Sequence, residues 1–460
     1  MQKLSNGAGV SSFVARRAAE IRESSYIDAG LFNEYGVKRG LRNSDGTGVL
    51  AGITRIGNVR GYYIQDGERV PMPGQLIFRG YDVDKLVSGF LSEGRFGFEE
   101  IAYLILFGDL PNVEELDQFK ELLAEYRELP KGFTEDMILA APSQDVMNKL
   151  ARSVLALYSY DPDPDTDYES IEKELDKAMH LIARCPVIVA NAFAAKRHYF
   201  DNESLYIHIP NNNLSTAENF LYSVRRDNSF TAKEAQLLDL CLVMHTEHGG
   251  GNNSAFSCRV LSSTGTDIYS SIAAAVGSLK GPRHGGANKK VMEMFGYIES
   301  EVSDWKDDEE VFNYLKKIAN KEAGDRSGLI YGMGHAIYTI SDPRAVRLKA
   351  LARDLASEKG MLDEFELFES VERLSKDVFR EETGSNKILC ANVDMYSGFV
   401  YKMLNIPIEL YTPLFAIARM VGWCAHRMEE VFANTKIIRP AYKAISSPRE
   451  YVELKERPIL

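Results

Sequence analysis

From Asp82 to about residue 435 the apolar residues recur at helical spacing, and this limits the chain to a mainly α fold. Candidate helices run near 83–92, 98–107, 113–127, 134–141 and 145–158, separated by breaks such as Gly108-Asp109-Leu110-Pro111. A longer helix leads from near Tyr168 to about Lys196. Two capping boxes, Ser215 with Glu218 and Thr231 with Glu234, open two more, the second running through Leu237, Leu238, Leu240 and Leu242 to Met244. Asp267 caps a helix that stops at Lys280, and amphipathic helices are expected near 309–323, 341–357 and 362–379. Strand signals are confined to Ile53–Val70, which alternates and turns at Asp66-Gly67, and to Leu76–Tyr81. Residues 1–50 read as an irregular arm with helical pieces at Phe13–Glu23 and Leu31–Tyr35, and the tail from Ile437 reads as an extended arm. The stretch from about 289 to 390 is more polar than the apolar helical return over 394–435. The expected organisation is therefore a large domain over 1–284, a smaller helical domain over 285–393, and a return to the large domain with a C-terminal arm over 394–460.

Composition narrows the partners. A content of 45% hydrophobic and 26% charged residues is that of a globular protein. The net charge of −12 argues against nucleic acid as the main partner. It also requires any anionic ligand to be held by a local cluster of Arg and Lys against the global field. Cys185, Cys241, Cys258, Cys390 and Cys424 lie mostly in apolar surroundings without paired metal-type spacing, which points to reduced, buried thiols and a cytoplasmic location. The longest apolar run, around Cys185–Ala195, falls short of the ~20 residues that span a membrane and reads as a core helix. Phe13–Ile21, with Arg16, Arg17 and Arg22, has a faint transit-peptide pattern, against which Glu20 and Glu23 count. Asp161–Asp167 with Glu172 has calcium-loop spacing, but Thr166 stands where the sharp turn needs glycine. An acidic lead-in to the next helix fits better.

Four histidines sit in glycine-rich settings or at expected helix ends. Gly281-Pro282-Arg283-His284-Gly285-Gly286-Ala287-Asn288 interrupts two helices and puts His284 near a helix N-terminus, where the amide dipoles disfavour an imidazolium. Taken alone, this stretch is better explained by a glycine-rich turn between two core helices, with His284 filling a pocket. His245 and His248 end the apolar helix before Gly249-Gly250-Gly251, and His335 follows Gly332-Met333-Gly334. Asn392-Val393-Asp394 puts an acid ahead of an apolar helix, and Arg419 lies inside one, where a lone cation needs an anionic partner. His245-Thr-Glu-His248 also admits a metal reading, although its spacing is not the metalloprotease pattern.

In combination these segments resemble the citrate synthase family. His245-Thr-Glu-His248-Gly-Gly-Gly-Asn252, Gly281–Asn288, Gly332-Met-Gly-His335, Asp342-Pro-Arg344, Asn392-Val-Asp394-Met-Tyr-Ser-Gly398, Phe415–His426 and Arg439-Pro440 occur in the family's order. Arg344 stands nine positions after His335, and Arg419 and Arg439 are twenty apart, as the family pattern has them. The resemblance is strong over about 205–440 and looser before it, where Phe78–Tyr81 and Asp109-Leu-Pro111 are the landmarks.

The resemblance implies condensation of acetyl-CoA with oxaloacetate and hydrolysis of citryl-CoA, with no metal or redox cofactor. By position, Asp394 would be the base, His284 the donor to the thioester oxygen, and His335 the group that polarises the ketone. His248, Arg344, Arg419 and Arg439 would bind oxaloacetate, with Arg439 supplied by the second subunit of a homodimer. The chain departs from the family around CoA. Thr339 replaces a common basic residue four positions after the second catalytic histidine, Lys387 matches a CoA-contacting lysine only approximately, and Ala391 replaces a common proline. The hairpin region over 53–76 is also longer than expected. The rival readings are 2-methylcitrate synthase using propionyl-CoA, a citryl-CoA or citrate lyase module, and a catalytically silent CoA- or acid-binding regulator. Against the lyase stands the absence of an ATP-grasp or P-loop segment. A silent regulator would be expected to lack one of Asp394, His284 and His335.

Overall fold

A computed structural model describes residues 18, 21, 25–165, 170–384, 388–433 and 436–457. Phe13–Glu23 falls almost wholly outside these residues, as does part of the Asp161–Asp167 segment. The chain divides into two compact units, residues 1–52 with 439–460, and residues 53–438. In the first unit, helix α1 (Ala29–Glu34) is capped by the Asp28 side chain, which accepts from Gly30 N at 2.7 Å. Within the same unit, Lys443 Nζ lies 5.5 Å above the Tyr35 ring and ties the C-terminal arm to the N-terminal one.

The second unit opens with strands β1 (Gly57–Gln65), β2 (Glu68–Phe78) and β3 (Tyr81–Asp82) in one antiparallel sheet of order β1-β2-β3. Asp66 and Gly67, at φ 51° and 81°, form the expected tight turn. Leu76–Phe78 proves to be the end of β2 and not a third strand. The hairpin continues the β2 ladder to Phe78 because Leu76 and Phe78 bury on the core face.

Helices then follow almost without interruption. They are α2 (Val83–Ser92), α3 (Phe98–Phe107), α4 (Val113–Glu125), α5 (Val146–Leu157), α6 (Ile171–Asp201), α7 (Thr216–Val224), α8 (Ala232–His245), α9 (Asn253–Ser262) and α10 (Ile268–Lys280). The series ends with α11 (Ala287–Glu301), α12 (Asp308–Ala319), α13 (Pro343–Glu358), α14 (Leu362–Thr383), α15 (Val393–Met403) and α16 (Tyr411–Ala433). The capping boxes at Ser215/Glu218 and Thr231/Glu234 are both formed, and Asp267 caps α10 through Ser270 N at 2.7 Å. The stretch expected as a helix over 134–141 is a π-helical turn, Thr134–Leu139. Pro407 and the 3-10 turn Ile408–Leu410 split the C-terminal apolar region into α15 and α16.

α16 is the axis of the core. Nearly every side chain from Tyr411 to Arg427 is buried, Trp423 and Met420 completely, and the helix packs on α3, α6, α8, α9 and α10. Each fully buried large apolar side chain contributes about 1.5–3 kcal/mol. α6 is longer than its sequence signal, running on to Asp201, where Asn202 turns left-handed at φ 59°. Its composition and length would suffice to cross a membrane, contrary to the sequence expectation, but 83% of its most apolar window is buried inside the protein.

The two long helices are pinned by a fully buried ion pair, Arg427 Nε to Glu174 Oε1 at 2.9 Å. Removing one partner strands the other charge in the core, which costs about 3–5 kcal/mol. Glu174→Ala should therefore lower the free energy of unfolding by an amount of that order, measured by equilibrium unfolding in denaturant.

Candidate active site

α8 delivers its last residue, His245, to the centre of the protein, and the chain then turns outward through Thr246, whose hydroxyl donates to Leu242 O at 2.8 Å. His245 is fully buried, lies against the Phe415 ring at 4.2 Å, and has neither ring nitrogen hydrogen-bonded. Its carbonyl accepts from Arg419 Nε at 2.6 Å. Arg419, 1% exposed on α16, has no hydrogen-bond partner for Nη1 or Nη2. Burial pulls its pKa down to about 10, with Glu247 opposing and Arg344 adding to the depression. The guanidinium is still charged at neutral pH, so two donors wait for an anion.

Glu247 does not fill that role. Burial works against its charge, but His426, Arg419 and the Gly249 N–H hold the carboxylate below its usual range. Arg259 donates to His426 Nδ1 at 3.1 Å, so Nε2 carries the proton donated to Glu247 at 3.0 Å. Arg259 is itself paired with Glu430 at 2.7 Å. Glu247 therefore supplies a counter-charge near Arg419 without taking its Nη donors. Among the described residues, no group of three or more His, Cys, Asp or Glu is arranged to hold a metal ion.

A second segment brings in His335. Gly332 and Gly334, at φ 83° and 88°, bend the chain as side-chain-bearing residues rarely do, and a Cβ at Gly332 would stand 3.1 Å from Met395. The bend lets Gly334 N donate to Cys390 O and Asn392 N donate to Gly332 O, each at 2.8 Å. The Asn392 amide donates to Gly334 O at 2.9 Å, and its Oδ1 caps α15 through Asp394 N at 3.0 Å. This clasp joins the segments that carry His335 and Asp394. His335 Nδ1 accepts the N–H groups of Ile337 and Tyr338, both at 3.1 Å, which leaves the ring proton on Nε2. Its ring stacks on Tyr338 at 4.6 Å and meets the His248 ring edge-on at 5.2 Å.

Asp342 organises the next turn. It caps α13, whose first residue is Pro343, and grips Arg344 with both oxygens, Nε at 3.0 Å and Nη2 at 2.7 Å. It also accepts from Val393 N at 3.2 Å, one residue before Asp394. Burial would strip the Arg344 charge, but Asp342 holds its pKa above the ordinary value. The Asp394 carboxyl, partly open to solvent, is pushed up to about 6 by desolvation, with Arg344 and Arg419 opposing and Asp342 adding to the rise. Its carboxylate oxygens accept no hydrogen bond among the described residues.

His284 arrives between α10 and α11, at a turn in which Gly285 N donates to Leu279 O at 2.9 Å and Thr412 Oγ1 donates to Gly285 O at 3.0 Å. α11 begins three residues later, at Ala287. Burial pushes the His284 pKa down to about 4, and the Arg419 charge adds to this. The neutral ring expected from helix position is present, with desolvation and Arg419 as its causes. Nε2 lies 3.2 Å from Ser254 Oγ, which is also 3.1 Å from Trp423 Nε1 and 2.8 Å from Asn252 Oδ1.

Residues 43–441 match the family described as citrate synthase, C-terminal domain. The chain belongs to the citrate synthase family. A citrate synthase from Haloferax volcanii is 35% identical over 406 residues, covering 88% of this chain and 94% of its own. A relative named 2-methylcitrate synthase 1, from Corynebacterium glutamicum, is 32% identical over 431 residues, covering 92% of this chain and 98% of its own. Among solved structures, a ternary complex of carboxymethyl coenzyme A and oxaloacetate with citrate synthase from Thermoplasma acidophilum superposes with a TM-score of 0.74. It is 27% identical and covers 92% of this chain and 99% of its own.

Of the residues that the family resemblance singles out, His248, His284, His335, Arg344, Asp394 and Arg419 lie in one unit and act on one another electrostatically. Arg439 is exposed and belongs to the unit formed by the arms, and Lys387 lies outside the described residues. Sequence reasoning missed Ser254, Tyr338, Asp342 and Glu247 as partners of these groups. Only Asp342 carried a local signal, as a cap before a proline at the helix start. Two unfilled Arg419 donors in a buried site call for a carboxylate. A C4 dicarboxylate such as malate should raise the thermal midpoint of the wild type by several degrees, and Arg419→Leu should abolish that shift, as read by calorimetry.

Proposed function

We propose that the protein is a citrate synthase, which joins the methyl carbon of acetyl-CoA to the ketone carbon of oxaloacetate and then hydrolyses citryl-CoA to citrate and CoA. The observation that carries this reading is the clasp that joins the His335 and Asp394 segments and seats Asp394, a carboxyl pushed up by desolvation, against the charges of Arg344 and Arg419. A thioester α-proton is weakly acidic, so a carboxylate removes it only where the developing enolate oxygen is stabilised at once. Asp394 takes that proton. His284 donates from Nδ1 to the thioester oxygen, which requires Ser254 to turn its hydroxyl proton toward Nε2 and away from Asn252.

The enol carbon attacks the ketone, and His335 donates its Nε2 proton toward the oxygen that becomes the citrate hydroxyl. His248, Arg344 and Arg419 hold oxaloacetate, since planar guanidinium forks match carboxylates. Arg439 of the partner subunit in a homodimer completes this set. Water then cleaves the citryl thioester, and CoA leaves as the thiol. Residues 285–393 act as the smaller domain that closes over the site and keeps water out until the carbon bond has formed. The reaction needs no metal or redox cofactor. The five buried free cysteines support a cytoplasmic setting.

Propionyl-CoA is the second acyl donor to consider, because a relative named 2-methylcitrate synthase 1 matches over nearly its whole length. One methyl group changes discrimination by only ~1–3 kcal/mol. The deciding experiment is thiol release with acetyl-CoA and propionyl-CoA side by side, each with and without oxaloacetate. Faster release from acetyl-CoA that depends on oxaloacetate supports the reading, and a preference for propionyl-CoA reverses it.

Asp394→Ala should abolish CoA release yet leave oxaloacetate binding largely intact, as measured by calorimetric titration. Because Asp394 must be ionised, its raised pKa should put the acid limb of kcat/KM near pH 6, with a tenfold loss for each pH unit below. Arg439→Ala should raise the oxaloacetate KM at least tenfold and the acetyl-CoA KM far less.

A further inference from the structure

The ladder of the β1–β2 hairpin is interrupted at one point. Arg60 pairs with Gln75, but Tyr62 pairs with Pro71, so Gly61 alone faces Met72-Pro73-Gly74. The loop that follows His335 docks at this break. Thr339 Oγ1 donates to Gly61 O at 3.0 Å, and Gly74 N donates to Ser341 Oγ at 3.2 Å.

The approach is too close for side chains on the hairpin. A Cβ at Gly61 would overlap Ile337 O and stand 2.8 Å from Tyr338 Cα. One at Gly74 would overlap Ser341 O and stand 2.6 Å from Tyr338 Cδ1. Real Cβ atoms essentially never come this near, so either substitution must push the hairpin and the loop backbone apart.

The backbone that would move is the part that holds His335. Ile337 and Tyr338 donate the two N–H groups that His335 Nδ1 accepts, and the Tyr338 ring stacks on the imidazole at 4.6 Å. Tyr338 also meets the His248 ring at 5.7 Å, and Arg344 Cζ lies 5.7 Å from its ring centre. A displacement at the hairpin thus reaches three groups of the site through one tyrosine.

We propose that the hairpin break is a positioning joint for the reaction, in which Gly61, Gly74 and Thr339 seat the 337–341 loop so that His335 is held in its Nε2–H tautomer and aimed at the substrate ketone. Each of the three acts through Ile337, Tyr338 or Ser341. The inference rests on the role given to His335 in the condensation.

The test compares Thr339→Val, which removes the hydroxyl, with Thr339→Ser, which keeps it, and adds Gly61→Ala and Gly74→Ala. Thr339→Val should lower kcat about three- to tenfold, the worth of one hydrogen bond, and Thr339→Ser should stay within twofold of wild type. The glycine variants should lose on the order of 100-fold in kcat, as misplacement of a reacting group by about 1 Å does. Their oxaloacetate KM should rise several-fold, with that of acetyl-CoA little changed.

A readout independent of turnover is the nitrogen-15 spectrum of histidine-labelled protein, assigned with His335→Gln. The wild type should show His335 as a single Nε2–H tautomer, and Gly74→Ala should show a tautomer mixture. Should the glycine variants fail to fold, the Thr339→Val and Thr339→Ser pair decides. Folded variants with wild-type kcat and a single His335 tautomer would overturn the joint. A wild type without condensation activity would instead overturn the assigned reaction, and the tautomer spectra would still decide whether the hairpin seats the loop.

Discussion

A charged guanidinium buried at the middle of α16, with two of its nitrogens unpaired, is the constraint around which the centre of this protein is arranged. Leaving Arg419 without compensation in a core would cost several kcal/mol. The fold meets that cost in part with the His245 carbonyl and with Glu247, held in place by the chain His426–Arg259–Glu430. Neither takes the Nη donors. The charge is tolerated and the hydrogen-bonding capacity is kept for a carboxylate from outside.

The same charge sets the protonation of its neighbours. Burial and the Arg344 and Arg419 charges together press His245 and His248 far below the ordinary histidine range, and burial with Arg419 presses His284 to about 4. Neutral imidazoles can donate a hydrogen bond without repelling the cations beside them. Asp394 feels the opposite balance, since desolvation raises its carboxyl further than the arginines lower it. The site thus holds one base of moderate strength and several neutral donors, although the protein as a whole is acidic.

Position is set by backbone as much as by charge. The Gly332-Met333-Gly334 bend and its hydrogen bonds to Cys390 and Asn392 place His335 and Asp394 on two paired segments, and Asp342 ties Arg344 to the start of α15. Thr339, where the family commonly has a basic residue, here bonds the hairpin instead.

Much of this was legible in the chain itself. Apolar spacing marked most helices, paired Ser/Thr and Glu residues marked the starts of α7 and α8, and Asp66-Gly67 marked the hairpin turn, because these signals act between residues a few positions apart. The order and spacing of His248, His284, His335, Arg344, Asp394 and Arg419 identified the family. What the chain alone did not reveal was the π-helical turn at Thr134, the full length of α6, or the bonds from Ser254, Asp342 and Glu247 to the site. Each depends on groups distant in sequence, such as Ser254 on Trp423 and Glu247 on His426, which meet only when helices pack. Local sequence determined which residues stand at the ends of helices and turns. Tertiary packing decided which of them are desolvated, which charges face each other, and so which protonation state each one holds.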